Sequence, residues 1–292
     1  MTFSPFDPDR QAIRRRRFQA IPVRILIPNL ITLLALCAGL TAIRLAFEDK
    51  LEWALAAIVF AAALDGLDGR VARLIKGQSR FGAELDSLAD FVNFGCAPGL
   101  ILYLWGLHEF GNVGWIAAMV FAICGALRLA RFNVMVDDPN HPLWAGNFFT
   151  GVPAPAGALV VMLPIYINLL GGPKFAVTIT LLYTLAIAFL MVSQVPVFSG
   201  KRVGKRVPPE MVLPVFVLVV LFTALLIAYP WWVLTIGTMC YLACLPLGWV
   251  SYKEYQRKDA MGATQGPAAD APSPDALPSP PAEDAERPAR LN

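Results

Sequence analysis

Four aspartates in one short stretch are the residues of this 292-residue chain best suited to do chemistry. They belong to the skeleton D-x2-D-G-x2-A-R-x8-G-x3-D-x3-D, and they are Asp65, Asp68, Asp86 and Asp90. Residues three or four apart share one face of a helix, so each pair projects from a single face. The short loop between the pairs makes the two helices antiparallel neighbours. The four carboxylates are therefore expected to converge.

Converging carboxylates in a low-dielectric setting repel one another and need cations to stay ionised. Ligands that are all oxygen, with no histidine or cysteine nearby, favour Mg²⁺ or Mn²⁺ over zinc, and two such ions suit displacement at a phosphorus atom. Gly66 and Gly69 leave room for a ligand or a neighbouring helix, and Arg73 can place its guanidinium on phosphate oxygens. The motif predicts a two-metal site that acts on a donor containing a pyrophosphate.

The elements that position this motif are predicted to lie in a membrane. Hydrophobic residues make up 57% of the sequence, charged residues 15%, and the mean hydropathy is +0.58, which does not suit a water-soluble core. Apolar runs near the roughly 20 residues that span a bilayer occur at 26–46, 52–75, 84–106, 112–132, 153–170, 174–195, 211–229 and 231–250. In the lipid interior, backbone N–H and C=O groups have no water to pair with, so these runs are expected to be helices, which pair them internally. We expect an all-α, polytopic membrane helix bundle with about eight transmembrane helices.

The composition divides the chain into three segments. Residues 1–25 form a basic cytoplasmic N-terminal segment, and residues 26–250 form the transmembrane catalytic domain, with a catalytic core at about 26–195. Residues 251–292 form a cytoplasmic tail. From about residue 259 the tail is rich in Ala, Pro, Ser, Asp and Glu, and it is expected to be disordered because it cannot offset the entropy of ordering.

The cations indicate the orientation, since short loops rich in Lys and Arg stay in the cytoplasm. Basic residues on one side of the predicted bundle fall within 14–24, 70–80, 128–131, 201–206 and 253–258, whereas the other side has only Arg44, Lys50 and Lys174. This pattern places both termini and the aspartate motif in the cytoplasm. The net charge of +3 therefore reflects topology and does not indicate nucleic-acid binding.

The eight fixed positions of the skeleton resemble the signature of the CDP-alcohol phosphotransferase family without a gap or substitution. The resemblance implies that family's fold and the transfer of a phosphatidyl group from CDP-diacylglycerol to an alcohol. It implies that Asp65, Asp68 and Asp86 are ligands of two Mg²⁺ or Mn²⁺ ions. Asp90 is then a further ligand and the general base. The implied contacts to CDP-diacylglycerol are Asn29, Thr32, Gly69, Arg73 and Ser79, although Asn29 and Thr32 could equally be a helix cap and a buried packing residue.

Flanking segments resemble the bacterial membrane-type phosphatidylserine synthases of that family, notably 81–82, 94–98 and 127–133. The resemblance implies serine as the acceptor, a bacterial inner-membrane location and a homodimer. Inositol phosphate, glycerol phosphate or choline are alternative acceptors, and a cation transporter is an alternative of another class. Arg128 and Arg131 could hold the carboxylate of serine or merely anchor their helix. The spacing of Gly95 and Gly99 could bring two helices together.

Overall fold

The computed structural model describes residues 23–75, 77, 79–136, 148–173, 175–193, 196–198 and 209–246. Most of the predicted N-terminal segment and all of the predicted tail from residue 251 lie outside the described residues, so the expectations about them stay predictions.

The apolar runs of the sequence fold into helices. These are α1 (Val23–Phe47), α2 (Leu51–Leu74), α3 (Arg80–Trp105), α4 (Asn112–Val136), α5 (Ala154–Val161), α6 (Leu163–Leu169), α7 (Val177–Val192), α8 (Pro209–Ala228) and α9 (Pro230–Pro246). A 3-10 turn at Leu107–Phe110 joins α3 to α4. Two short strands, β1 (Phe148–Thr150) and β2 (Pro196–Phe198), pair antiparallel. The all-α expectation is confirmed apart from this strand pair.

Four helices of the described chain are long and apolar enough to cross a membrane. They cover Leu26–Phe47, Arg80–Trp105, Asn112–Met135 and Glu210–Ala228, and the apolar helices Val177–Val192 and Pro230–Pro246 are shorter. The predicted run 153–170 is divided into α5 and α6 at Met162, with Pro164 in the first turn of α6. Proline has no N–H to donate, so it starts a helix more readily than it continues one. Helix length and composition thus support a membrane protein but not the full count of eight spans.

Helices α1 and α2 form the most extensively packed helix pair and are joined by a tight turn. Asp49 in this turn has a φ of 58°, which aspartate tolerates better than most residues. Lys50 and Arg44 both form ion pairs with Glu48 at 2.8 Å. Their hydrogen bonds hold the pKa of Glu48 below its usual range. This end of the pair lies opposite the aspartate motif, which occupies the C-terminal part of α2.

Helix α3 contains a π-helical segment at Phe91–Cys96, directly after Asp90. Asn93 in this segment is buried and packs against Gly39 of α1, where an added Cβ would collide with the Asn93 side chain. Phe94 is fully buried in the core. Such segments interrupt the α-helical register and occur often at functional sites. The segment therefore separates the aspartate-bearing part of α3 from its apolar part.

The glycines at 95 and 99 pack α3 against α4 within the chain. A Cβ at Gly99 would lie 2.9 Å from the backbone oxygen of Ala118, and one at Gly95 would lie 3.5 Å from that of Ala122. Only Gly99 needs its missing side chain for the close approach of α4, since a Cβ at Gly95 would make an ordinary contact with that helix. The GxxxG spacing therefore serves packing inside one copy and carries no argument for a dimer.

Candidate active site at the aspartate cluster

Helix α2 presents Asp65 and Asp68 from the same face near its C-terminal end. Asp68 is 4% exposed, and its Oδ2 accepts a hydrogen bond of 2.7 Å from the hydroxyl of Thr32 in α1. Thr32 is itself 4% exposed. A buried carboxylate held by such a bond has a defined orientation. Thr32 is thus more than a packing residue, because it orients Asp68.

Helix α3 presents Asp86 and Asp90 one turn apart. Ser79 is the N-cap of this helix, and its Oγ accepts a hydrogen bond of 3.0 Å from the backbone N–H of Gly82. An N-cap of this kind satisfies a donor that the first turn leaves unpaired. The cap fixes where α3 begins and hence where its two aspartates stand beside α2.

The ligand oxygens of Asp65, Asp68 and Asp86 all lie within 4.8 Å of one another. Divalent ions bind oxygens at about 2.0–2.6 Å, so oxygens with this separation can share one ion. Oδ1 of Asp86 is buried and has no hydrogen-bond partner among the described residues. A buried, unpaired carboxylate oxygen is costly unless a cation compensates it. These three residues therefore fit a hard divalent metal, and the predicted convergence of the motif is confirmed for them.

Asp90 stands beside this group of three. It lies one helical turn after Asp86 on α3 and interacts electrostatically with Asp65, Asp86 and Asp68. It is not one of the three residues whose ligand oxygens lie within 4.8 Å of one another. The position of Asp90 at the edge of the group leaves it able to serve a different role from the other three.

A cavity of about 360 Å³ lies against α1, α2 and α3 beside the aspartates. This volume falls within the roughly 300–1,000 Å³ typical of small-ligand sites. Asp68 and Asp86 form part of its wall, so the cavity and the carboxylate group are contiguous. Its lining includes all five residues predicted to contact CDP-diacylglycerol, namely Asn29, Thr32, Gly69, Arg73 and Ser79.

Gly69 and Gly82, the two glycines at fixed positions of the motif, have different structural roles. An added Cβ at Gly82 would lie 2.7 Å from Oδ1 of Asn29, so this glycine lets α3 approach α1. At Gly69 no atom lies within 4 Å of the added Cβ. Gly69 is therefore not required for helix packing, and its missing side chain leaves the cavity wall open to a ligand.

Arg128 of α4 lies on the cluster side of the bundle. It is only 7% exposed, and its Cζ lies 5.3 Å from the centroid of the Phe132 ring. Its guanidinium interacts electrostatically with Asp90. The predicted acceptor residue is thus buried near the edge of the aspartate group.

Arg131, the other predicted acceptor residue, contacts the end of α7. Its guanidinium donates hydrogen bonds to the backbone oxygens of Val192 at 2.8 Å and Ser193 at 3.1 Å. The last carbonyl groups of a helix have no partners within it, so these bonds satisfy them. Arg131 therefore ties α4 to α7, whatever else it does.

Comparison with known proteins identifies the family of this chain. The CDP-alcohol phosphatidyltransferase family matches residues 25–197, and the family described as CDP-alcohol phosphatidyltransferase 2 matches residues 210–246. The chain belongs to the CDP-alcohol phosphatidyltransferase family. The first match contains the whole aspartate motif and every residue of the cavity wall named above, which favours the phosphotransferase interpretation over the cation transporter.

This phosphatidyltransferase-family chain is also similar to individual proteins named CDP-diacylglycerol–serine O-phosphatidyltransferase. The protein from Mycobacterium bovis is 40% identical over 222 residues, which cover 74% of this chain and 77% of that protein. The protein from Helicobacter pylori strain J99 is 35% identical over 232 residues, or 77% and 91% of the two chains. The protein from Bacillus subtilis is 33% identical over 170 residues, or 58% and 88%.

Some residues of the phosphatidyltransferase site are not fixed positions of the sequence motif. The cavity wall also contains small residues outside the fixed positions of the motif, namely Pro28, Gly77 and Ala83.

Proposed function

We propose that this chain transfers the phosphatidyl group of CDP-diacylglycerol to the hydroxyl of L-serine, giving phosphatidylserine and CMP. The observation that carries the proposal is a ligand-sized cavity whose wall includes two aspartates of a metal-binding group. Membership of the CDP-alcohol phosphatidyltransferase family supports the reaction class. The names of the relatives support serine as the acceptor.

The cavity residues bind the donor head group in this scheme. Arg73 is exposed at the cavity and supplies a guanidinium for phosphate oxygens. Gly69 allows close approach, and the polar side chains of the wall contribute hydrogen bonds from α1 and from the start of α3. These polar residues are Asn29, Thr32 and Ser79. The pyrophosphate of the donor then lies next to the aspartate group, because Asp68 and Asp86 form part of the cavity wall.

Asp90 takes the role of general base. The hydroxyl oxygen of serine attacks the β-phosphorus of CDP-diacylglycerol, and Asp90 accepts the hydroxyl proton. The bond between that phosphorus and the bridging oxygen breaks, and CMP leaves with that oxygen. A well-placed base contributes about 10²–10⁴-fold to such a reaction, and positioning contributes much of the rest.

The four aspartates are proposed to hold two Mg²⁺ or Mn²⁺ ions. Asp65, Asp68 and Asp86 provide the grouped oxygens, and Asp90 is a further ligand at the edge of the group. When bound, such ions neutralise charge on transferring phosphoryl groups. The oxygen-only donor set among the described residues is the reason for preferring hard ions.

The acceptor is proposed to bind on the α4 side of the aspartates. Arg128 is buried in α4 and interacts electrostatically with Asp90, which supports a role in holding the carboxylate of serine. Arg131 lies one turn further along α4 and supports this surface through its bonds to α7. Its direct contact with the acceptor also stays part of the proposal.

The proposal also covers how the chain lies in the membrane. We propose about eight spans in a bacterial inner membrane, with the active site and both termini on the cytoplasmic side, where Arg70, Arg73 and Arg80 lie between the two aspartate pairs. None of the apolar window in α8 is buried within the chain, so this helix is free to contact lipid. A homodimer is proposed from the family resemblance alone.

The acceptor identity can be tested with the purified protein. We expect CDP-diacylglycerol and Mn²⁺ to give phosphatidylserine and an equal amount of CMP when L-serine is present. Parallel reactions contain only inositol phosphate, glycerol phosphate or choline, and the lipid products are identified by mass spectrometry. A lipid product from another alcohol in place of serine would overturn the assignment.

Replacing Gly69 with alanine tests the open cavity wall. An extra methyl group in a tightly filled site costs about 1–3 kcal/mol, or about 5- to 150-fold in affinity, so the KM for CDP-diacylglycerol should rise by about tenfold. The Tm should not fall, because alanine favours a helix over glycine and no neighbouring atom opposes the Cβ. Gly237→Ala is the matched control, since Gly237 is also helical with open space around its Cβ. An unchanged KM in the folded Gly69 variant would contradict the proposed contact.

A further inference from the structure

Helix α3 packs against α1 through two asparagine–glycine contacts that mirror each other. In the first, Asn29 of α1 lies against Gly82 of α3, where an added Cβ would be 2.7 Å from Oδ1 of Asn29. In the second, Asn93 of α3 lies against Gly39 of α1, where an added Cβ would collide with Oδ1 and lie 2.9 Å from Cγ of Asn93. Each helix therefore contributes one asparagine and one glycine, and the two helices run in the same direction.

The two contacts lie on either side of the α3 aspartates. Gly82 precedes Asp86 by four residues, and Asn93 follows Asp90 by three. Asp90 and Phe91 both have right-handed helical backbone angles, so the helix continues without a break from the aspartate into the segment that carries Asn93. Three residues are less than one helical turn. A shift of α3 at Asn93 is therefore transmitted directly to Asp90.

The π-helical segment fits the spacing of the two contacts. Ten residues of α1 separate Asn29 from Gly39, whereas eleven residues of α3 separate Gly82 from Asn93. A π-helical turn takes up one residue more than an α-helical turn. The segment Phe91–Cys96, which contains Asn93, can take up the additional residue, so that both contacts form at once.

The Asn93 side chain is polar in a place where an apolar side chain would be less costly. It is 1% exposed, and its Oδ1 has no hydrogen-bond partner among the described residues. Burial of an amide oxygen without such a partner is destabilising. The oxygen instead faces a Cα–H of Gly39, which is a weak donor and is available because glycine has no Cβ. Neither residue lines the cavity, so the contact lies outside the donor site.

We propose that Asn93 and Gly39 are a positioning pair for Asp90. The Asn93 amide, seated on the backbone of Gly39, fixes how α3 is rotated against α1 and so places the Asp90 carboxylate beside the metal-binding group. This inference rests on the proposed role of Asp90 as general base and adds two residues from outside the motif. The contact between Asn29 and Gly82 forms part of the cavity wall, whereas this second contact acts on the base.

Replacing Asn93 with alanine removes the amide and leaves the helix intact. We expect kcat for CMP release to fall by about tenfold, because a misplacement of about 1 Å at a reacting group costs up to about 100-fold. The KM for CDP-diacylglycerol and the affinity for Mn²⁺ should change by less than about threefold, since Asn93 is in neither the cavity wall nor the group of three aspartates. A purely structural role would lower the Tm and leave the kcat of the folded protein unchanged.

Replacing Gly39 with alanine places a methyl group where the Asn93 oxygen lies. We expect kcat to fall by about 10- to 100-fold. Combining Gly39→Ala with Asn93→Ala should return kcat to within about threefold of Asn93→Ala alone, because the methyl group then fills the space that the amide leaves. In this double variant the Cα of residue 93, at 3.2 Å, is the remaining neighbour, which requires only a small adjustment.

Gly99→Ala is the matched control on the same helix. Its added Cβ would also lie close to a backbone atom, 2.9 Å from the oxygen of Ala118, but it is nine residues after Asp90. The control should lower the Tm without lowering the kcat of the folded protein. Asn93→Ala should not relieve it, because the two positions share no contact.

The outcomes separate this inference from the proposed function. If the wild type makes phosphatidylserine and the folded Asn93→Ala variant keeps its kcat, the positioning role is overturned and the proposed function stands. Multiplying effects of Gly39→Ala and Asn93→Ala would also overturn the pair, as would a KM for CDP-diacylglycerol that rises as much as kcat falls. Should Gly39→Ala fail to fold, recovery of folding in the double variant supports the contact, and the kcat of Asn93→Ala decides its role. If the wild type releases CMP only with another alcohol, the acceptor assignment fails, and the same rescue measured with that alcohol would still support the pair.

Discussion

Replacing Asp90 with asparagine is expected to abolish CMP release while nucleotide binding is retained. Asparagine keeps the shape of the side chain but cannot accept the proton of the attacking hydroxyl. The loss of a general base should lower kcat by about 10²–10⁴-fold. The cavity wall does not include Asp90, so binding of the nucleotide head should be little changed. Release of CMP and equilibrium binding of CDP-diacylglycerol measure the two effects separately.

Glu84→Gln is the matched control for this variant, because Glu84 is an exposed carboxylate on the same helix. It should turn over at close to the wild-type rate. Activity of Asp90→Asn above about a tenth of the wild type would be incompatible with a base of the usual strength. Loss of nucleotide binding along with activity would instead assign Asp90 to the donor site.

The second large effect is expected from Asp86→Asn, which removes one charged ligand from the grouped oxygens. Changes to residues that only support a metal ligand cost about 10–100-fold in metal affinity, so loss of a ligand should lower Mn²⁺ affinity by at least about 100-fold. Titration of the protein with Mn²⁺, with free ion followed by electron paramagnetic resonance, measures this. The same Glu84→Gln control should bind Mn²⁺ like the wild type.

Added metal distinguishes the two aspartate variants. High Mn²⁺ should restore much of the activity of Asp86→Asn, because mass action refills a weakened site. It should not restore Asp90→Asn, because no ion replaces the missing base. Equal Mn²⁺ affinity in Asp86→Asn and the wild type would remove Asp86 from the metal site.

The convergence of the aspartates was predictable because it depends on local geometry. Asp65 and Asp68 share a face through their spacing, and the short connection between α2 and α3 brings Asp86 alongside. The position of Asp90 at the edge was not predictable in this way. It depends on how α3 is rotated against α2, and that rotation is set by contacts with α1 such as Gly82 against Asn29.

Features that depend on distant parts of the chain could not be read from a motif. The hydrogen bonds of Arg131 join residues more than sixty positions apart, and its two carbonyl acceptors have no side-chain signature. The strands Phe148–Thr150 and Pro196–Phe198 are too short to show an alternating pattern.

The π-helical segment Phe91–Cys96 determines where α3 can change in length. A π-helical turn takes up one residue more than an α-helical turn, so loss of one residue inside the segment would restore an α-helix and leave the aspartates in register with the apolar half of α3. Loss of one residue from the α-helical turns beside the segment would instead rotate the aspartates by about 100° relative to that half. Either the carboxylates would then leave their partners on α2, or the apolar face of α3 would leave the core. Evolution can therefore shorten α3 within this segment more easily than in the turns on either side of it.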